Sequence, residues 1–192
     1  MTEATIGNLG DIPDLSGIGD GGDSTPFADG WYEGRILEKR EFTDRNGNDR
    51  IFESADTPSA RGDSRNAVLQ VEVTRAADQR KLNTKIQVNY RPEDFTAETL
   101  QAITDAKAAA KGTGERPQWG PLFRSFMALN QLGKIQTVAG VKTLSRNGNG
   151  GLDLTPAFGK VVYVKLGPDD QNPAYKSVVD FRATRPTKVP VL

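Results

Sequence analysis

The chain has 192 residues, contains neither Cys nor His, and balances 25 Lys and Arg against 25 Asp and Glu. Without Cys there are no disulfides, zinc–thiolate sites or cysteine nucleophiles, and without His there is no Ser-His-Asp triad and no imidazole metal ligand. Acid–base chemistry would fall on carboxylates, Lys or Tyr, and a metal site would consist of oxygen ligands alone. This length predicts one domain with a substantial core.

The neutral total hides an uneven distribution of charge. Residues 1–30 carry six carboxylates and no basic residue, so their charge is −6 and that of residues 31–192 is +6. Such asymmetry is typical of a protein with an anionic partner, although small soluble domains also carry this much charge. Residues 1–29 are rich in Gly and Asp, which predicts an acidic, flexible arm. The sequence has no membrane span and no signal peptide, so we expect a cytoplasmic protein.

The first half of the chain is predicted to consist of strands. Residues 31–42 are rich in β-forming residues and lead to an Asn-Gly turn signal, after which residues 50–52 would return as a short strand. Residues 54–65 are predicted to form a polar loop. Residues 66–75 and 81–90 are predicted strands, and the second alternates apolar residues with polar or basic ones.

The second half combines helices with two closing strands. Thr96 is a predicted helix N-cap, and a second helix is predicted to begin near Pro121. Residues 159–167 and 174–182 are predicted strands. This order predicts a mainly β fold with a helical insertion: a five- to six-stranded antiparallel OB-like barrel, with two helices between the third or fourth strand and the closing strands. Another small barrel and an α+β sandwich are the alternatives.

The domain organisation follows from these elements. We predict an acidic Gly-rich flexible arm over residues 1–29, an OB-like domain over 30–184 and a basic C-terminal tail over 185–192.

Two formal motif matches have simpler explanations. Residues 17–22 fit G-x-G-x-x-G, but no strand precedes them and no helix follows. Asp44-x-Asn46-x-Asn48 resembles the start of a calcium loop, but a hairpin turn explains it and the later ligand positions do not fit. The sequence has no nucleophile elbow, phosphate loop or suggestive carboxylate pair. We therefore predict a protein that is not an enzyme and has no metal or cofactor.

Basic and aromatic residues on the predicted strands are the best functional candidates. Proteins that bind single strands combine a positive groove with planar side chains that stack on bases. Aromatic residues also fill cores, as expected for Phe42, and outer sheet faces are often charged. The predicted nucleic-acid-binding residues are Trp31, Tyr32, Arg35, Lys39, Arg61, Arg65, Lys81, Lys85, Arg91, Tyr163, Lys165 and Arg182.

A family resemblance points the same way. The acidic leader is followed by Phe27-Ala-Asp-Gly-Trp-Tyr-Glu-Gly-Arg-Ile, then Phe-Met-Ala-Leu-Asn at 126–130 and Gly-Lys-Val-Val-Tyr-Val at 159–164. Over about residues 26–183 the chain resembles small bacteriophage-encoded single-stranded-DNA-binding proteins of replication and recombination modules, which have an OB-like fold.

The resemblance implies sequence-nonspecific binding of single-stranded DNA in the cytoplasm of a bacterial host. Replication or recombination proteins would be further partners through the acidic arm, and a homo-oligomer is an open alternative. Many such proteins end in an acidic tail, whereas here the C-terminal region is basic and the acid lies at the N-terminus. The alternative hypothesis is a phage structural or protein-interaction module that does not bind nucleic acid.

Overall fold

The computed structural model describes residues 26–44, 46–60, 62–113, 120–169, 172–173, 175–187 and 192. The strands in these ranges are β1 (Gly30–Leu37), β2 (Lys39–Thr43), β3 (Asp49–Glu53), β4 (Ala55–Pro58), β5 (Arg65–Thr74), β6 (Lys81–Tyr90), β7 (Ile135–Val138), β8 (Val141–Leu144), β9 (Val161–Pro168) and β10 (Lys176–Arg182). The helices are α1 (Ala97–Thr113) and α2 (Pro121–Gln131). The prediction of a mainly β fold with two helices between β6 and the closing strands is confirmed.

The main sheet is antiparallel and has β5 at its centre. β5 pairs with β6 along its full length, while its other edge pairs with β1 over residues 70–74 and with β4 over residues 65–68. β1 continues to β9 and then to β10, so the strand order is β6-β5-β1-β9-β10 with β4 beside β5. Within the described residues β6 and β10 share no ladder, although their Cα atoms approach within 8 Å.

The hairpin formed by β2 and β3 (residues 39–53) is inserted between β1 and β4. Ser54 closes its stem, because the Ser54 N–H donates to the Glu38 carbonyl over 2.7 Å. The Ser54 hydroxyl also donates to the Leu37 carbonyl over 2.6 Å and accepts the Gln70 N–H of β5 over 2.8 Å. The hydroxyl therefore fills the gap in the β5 ladder between β1 and β4.

The core lies on one face of the main sheet, where alternate strand residues are buried. Tyr32 and Ile36 of β1 meet the odd-numbered residues of β5 and the even-numbered residues of β9. Gly34 lies between them, and a Cβ there would come within 2.8 Å of Val71 Cγ1. β1 is therefore closely packed at Gly34, because a larger residue at this position would displace Val71.

Both helices begin where the sequence predicts. Thr96 Oγ1 accepts the Thr99 N–H over 3.2 Å, as expected for an N-cap, and Pro121 is the first residue of α2. Phe126 and Leu129 bury one face of α2, and Ser125 Oγ donates to the Asn89 carbonyl of β6 over 2.7 Å. Neither helix is both long and apolar enough to cross a membrane in the described part of the chain.

Two strand pairings differ from the prediction. Residues 54–65 were expected to be a polar loop, yet Ala55–Pro58 form β4 at the edge of the sheet. The β7–β8 hairpin was not predicted, although Ala139 and Gly140 both have positive φ (49° and 82°), which suits a two-residue turn. Four-residue strands with polar residues give too short a pattern to identify from sequence.

The predicted boundaries of the arm and the tail also need correction. Phe27 is buried in the core, and Asp29 pairs with Lys176 over 2.5 Å, so the folded body begins before Gly30. The part of the arm over residues 1–25 lies outside the described residues. Pro186 is buried and the Leu192 N–H donates to the Trp31 carbonyl over 2.7 Å, so parts of the tail pack on the body.

Candidate nucleic-acid interface

The side chains of the main sheet that point away from the core form its outer face, and cross-strand pairing arranges them in rows. One row contains Arg182, Tyr163, Glu33, Thr74 and Lys81, on β10, β9, β1, β5 and β6 respectively. This pairing brings together three predicted site residues that are far apart in sequence.

The neighbouring rows of the outer face contain the remaining basic side chains. Arg35 of β1 lies opposite Glu72 of β5, and Lys85 of β6 lies opposite Gln70 of β5. Lys165 of β9 lies opposite both Trp31 of β1 and Asp180 of β10. The outer face therefore carries five exposed bases, Arg35, Lys81, Lys85, Lys165 and Arg182, together with three acids, Glu33, Glu72 and Asp180.

The five basic side chains differ in whether a carboxylate neutralises their charge. Lys81 pairs with Glu72 over 2.9 Å. Lys85 and Lys165 make no ion pair within 4.0 Å to any residue in the described ranges, and Arg35 reaches only the Gly159 carbonyl, over 3.4 Å. Charges that are exposed and not in an ion pair keep their attraction for an external anion, so these three side chains are well placed to attract one.

The outer faces of β5 and β6 are otherwise dominated by side-chain amides. Asn83, Gln87 and Asn89 point outward and are exposed on β6, and they pair across the sheet with Glu72, Val68 and Asn66 of β5. Amides donate and accept hydrogen bonds, so they suit a polar ligand of either sign.

Trp31 lies beneath Arg182 on the same face. The Arg182 guanidinium carbon is 5.2 Å from the centre of the Trp31 ring, and the indole is only 6% exposed. Trp31 thus supports Arg182 by a cation–π contact, and the guanidinium covers it. Tyr163, the neighbour of Arg182 on β9, is half-buried.

Tyr32 was predicted as a binding residue, and the structure contradicts this. Its side chain is fully buried, and its hydroxyl donates to the Ala28 carbonyl over 2.9 Å. Burial raises the pKa of this phenol. Neighbouring residues of a strand point to opposite faces, so Trp31 and Tyr32 cannot both lie on the outer face.

Arg65 was also predicted to contact nucleic acid, but it belongs to a buried network around Asp56. Asp56 Oδ2 accepts hydrogen bonds from Arg65 Nε (3.0 Å), Tyr90 Oη (2.7 Å) and the Leu152 N–H (2.6 Å). The Asp56 side chain is 1% exposed. Burial and the bond to Asp56 raise the pKa of Tyr90 well above its usual range. Arg65 therefore stabilises the fold through its ion pair with Asp56.

Two further predicted residues, Lys39 and Arg91, lie outside the outer face of the main sheet. Lys39 pairs with Glu41 over 2.6 Å on the β2–β3 hairpin. Arg91 follows β6 and pairs with Asp63 over 3.3 Å. Both pairs are exposed, and such pairs contribute little to stability, so both bases can exchange partners. Arg61 lies outside the described residues.

The hairpin turn is organised by Asp44. Its Oδ1 accepts the Asn46 and Asn48 N–H groups over 2.9 and 3.0 Å, and Arg50 Nε donates to Oδ2 over 2.9 Å. These hydrogen bonds, chiefly that from Asn48, lower the pKa of Asp44 to about 2. The turn interpretation of this motif is confirmed. The described residues contain no group of three or more Asp or Glu placed to hold a metal ion.

The hairpin carries an aromatic and cationic cluster whose members are not among the predicted site residues. The Arg40 guanidinium carbon lies 5.0 Å from the Phe42 ring centre and 4.9 Å from that of Phe52. The two rings are stacked, with centres 5.4 Å apart and planes inclined by 13°. Phe42 was expected in the core, and the partners that Arg40 and Phe42 find on β3 depend on strand pairing, which the sequence pattern does not show.

Comparisons of the chain with protein-family models, with curated proteins and with solved structures found no match.

Proposed function

We propose that this chain is a sequence-nonspecific single-stranded-DNA-binding protein that acts in DNA replication or recombination and has no catalytic activity. The observation that carries the proposal is the gathering of five exposed bases from β1, β6, β9 and β10 on one outer face. Exposed bases on a polar surface can contact a phosphate backbone without reading the sequence of its nucleotides. The family resemblance to phage proteins supports the biological setting.

We further propose that the body is an OB-type barrel. An OB-fold places its strands in the order 3-2-1-4-5 and closes between strands 3 and 5, which matches β6-β5-β1-β9-β10. Both end strands run parallel to β1, their Cα atoms approach within 8 Å, and α2 lies next to both. The helices also occupy the connection between the third and fourth strands of this scheme.

A protein-interaction module is the second candidate function. Val138 and Val141 at the tip of the β7–β8 hairpin are 56% and 51% exposed. Exposed apolar pairs of this kind suit contact with another protein. Light scattering coupled to size-exclusion chromatography, giving a large assembly with no affinity for DNA, would favour this alternative.

Binding to a fluorescent oligo-dT, measured by anisotropy at several salt concentrations, tests the primary proposal. Three to five phosphate contacts on a single strand predict a slope of log Kobs against log salt of about −2 to −3.5, because bound counterions are released. A protein that does not bind at low salt, or binds independently of salt, would contradict the proposal.

The acidic leader is expected to compete with DNA for the basic face. Removing residues 1–25 eliminates five carboxylates, and we expect binding of oligo-dT to tighten about 3- to 10-fold at low salt and to change little at high salt. The cut falls before Phe27, since Phe27 belongs to the core.

A full-length variant with Glu3→Gln, Asp11→Asn, Asp14→Asn, Asp20→Asn and Asp23→Asn separates charge from length. This variant should show the same increase in affinity for oligo-dT as the protein that lacks residues 1–25. Unchanged or weaker affinity in both proteins would rule out competition.

A further inference from the structure

The β2–β3 hairpin divides its charged residues between two faces. Arg40, Phe42, Arg50 and Phe52 share one face, because Arg40 pairs with Phe52 and Phe42 pairs with Arg50. We call this the arginine–phenylalanine face. The other face consists of Lys39, Glu41, Thr43, Asp49, Ile51 and Glu53. All three carboxylates of the two strands are thus separated from the arginine–phenylalanine face.

Arg40 is a buried cation whose charge is not neutralised. The residue is 9% exposed, its Nε has no hydrogen-bond partner, and no carboxylate of the described residues lies within 4.0 Å of its guanidinium. Burial lowers the pKa of Arg40. A buried cationic nitrogen without a hydrogen-bond partner or a counterion is unfavourable, and an anion at the guanidinium would relieve this cost. The two phenyl faces compensate only in part.

Phe52 keeps part of its side chain open to solvent. The residue is 39% exposed although its ring is stacked on Phe42 and lies 4.9 Å from the Arg40 guanidinium carbon. Arg50, next to it on this face, has its Nε fixed on Asp44, which orients the guanidinium. Arginine and aromatic groups arranged in this way combine phosphate contact with stacking.

The hairpin adjoins the main sheet where β1 ends. Leu37, Gln70 and Lys85 form the last outer row that includes β1, and the chain enters the hairpin directly after Leu37. β3 also lies close to β5. The hairpin is therefore next to the part of the outer face that carries Lys85.

We infer that the arginine–phenylalanine face is a second contact site for single-stranded DNA, in which Phe52 stacks on a base and Arg40 and Arg50 contact phosphates. This inference rests on the proposed function, and it assigns the stacking role to the hairpin, since Trp31 is covered and Tyr32 is buried.

The test compares oligo-dT affinities of Phe52→Ala and Ile51→Ala. Ile51 is adjacent, 58% exposed and on the opposite hairpin face, so it is a matched control. Loss of one stacked base predicts about 5- to 100-fold weaker binding for Phe52→Ala and less than about 2-fold for Ile51→Ala. Phe52→Leu retains apolar bulk over Arg40 and should still lose affinity. Circular dichroism and thermal melting of each variant show whether the hairpin change alters the fold.

Photo-crosslinking of the wild-type protein to an oligonucleotide containing 5-iodouracil gives a readout that needs no variant. Crosslinks within residues 39–53 support the inference. Crosslinks confined to the sheet, or equal affinities of Phe52→Ala and Ile51→Ala with binding intact, overturn it and leave the proposed function standing. Absence of any oligo-dT binding by the wild-type protein overturns both.

Discussion

Replacing Asp56 by Ala is expected to lower the free energy of unfolding by about 3 kcal/mol, because it leaves a partly buried cation and two hydrogen-bond donors without their partner. The Arg65 side chain is only 19% exposed and would lose its carboxylate. Tyr90 Oη and the Leu152 N–H would also lose their acceptor, and each buried donor left unsatisfied adds to the cost. The effect is large because three donors from three parts of the chain share one oxygen atom.

Urea unfolding followed by tryptophan fluorescence measures this effect. Tyr90→Phe removes only one of the three hydrogen bonds and should cost about 1 kcal/mol. Asp56→Asn keeps an acceptor but removes the charge, and should fall between the two. A loss below about 1 kcal/mol for Asp56→Ala would show that the network does not hold the fold.

Reversing three charges on the outer face is expected to abolish most DNA binding. In the variant Arg35→Glu, Lys85→Glu, Lys165→Glu, five bases and three acids become two bases and six acids. Phosphates would then be repelled where they were attracted, and we expect affinity for oligo-dT at low salt to fall by about 100-fold or more. The three positions are exposed, so the fold should be retained.

The matched control reverses three exposed bases on the helices, Lys107, Lys111 and Arg124, outside the main sheet. The net charge of the protein changes equally in both variants. A control variant that loses as much affinity would show that overall charge, and not the outer face, determines binding. A reversed outer face that still binds at low salt would exclude this face as the site.

The sequence predicts the long elements well and the short ones poorly. The alternation over residues 81–90 defines β6 because every second residue contacts the core. β4 escapes prediction because Ala-Asp-Thr-Pro contains two residues that are rare in strands, and its pairing depends on β5, which follows it in sequence. Pro58 is tolerated because β4 is an edge strand.

The face on which a site residue lies could be predicted from the alternation along its strand. The role of a residue could not be predicted where it depends on partners distant in sequence. Strand parity places Lys81 and Lys85 together on β6, and it also separates Trp31 from Tyr32. The role of Arg65 depends on Asp56 and on a backbone group at Leu152, which no local pattern reveals. The Arg40 cluster likewise depends on the pairing of β2 with β3.

The hydroxyl of Ser54 has a consequence for how this protein can diversify. Because Ser54 joins the sheet ladder across the base of the hairpin, the five core strands keep their register whatever lies between residues 38 and 54. An insertion or deletion of two residues in each hairpin strand preserves the stem and keeps the later side chains on their faces. The hairpin can therefore be replaced, and its length and aromatic content can change while the strands of the main sheet stay the same.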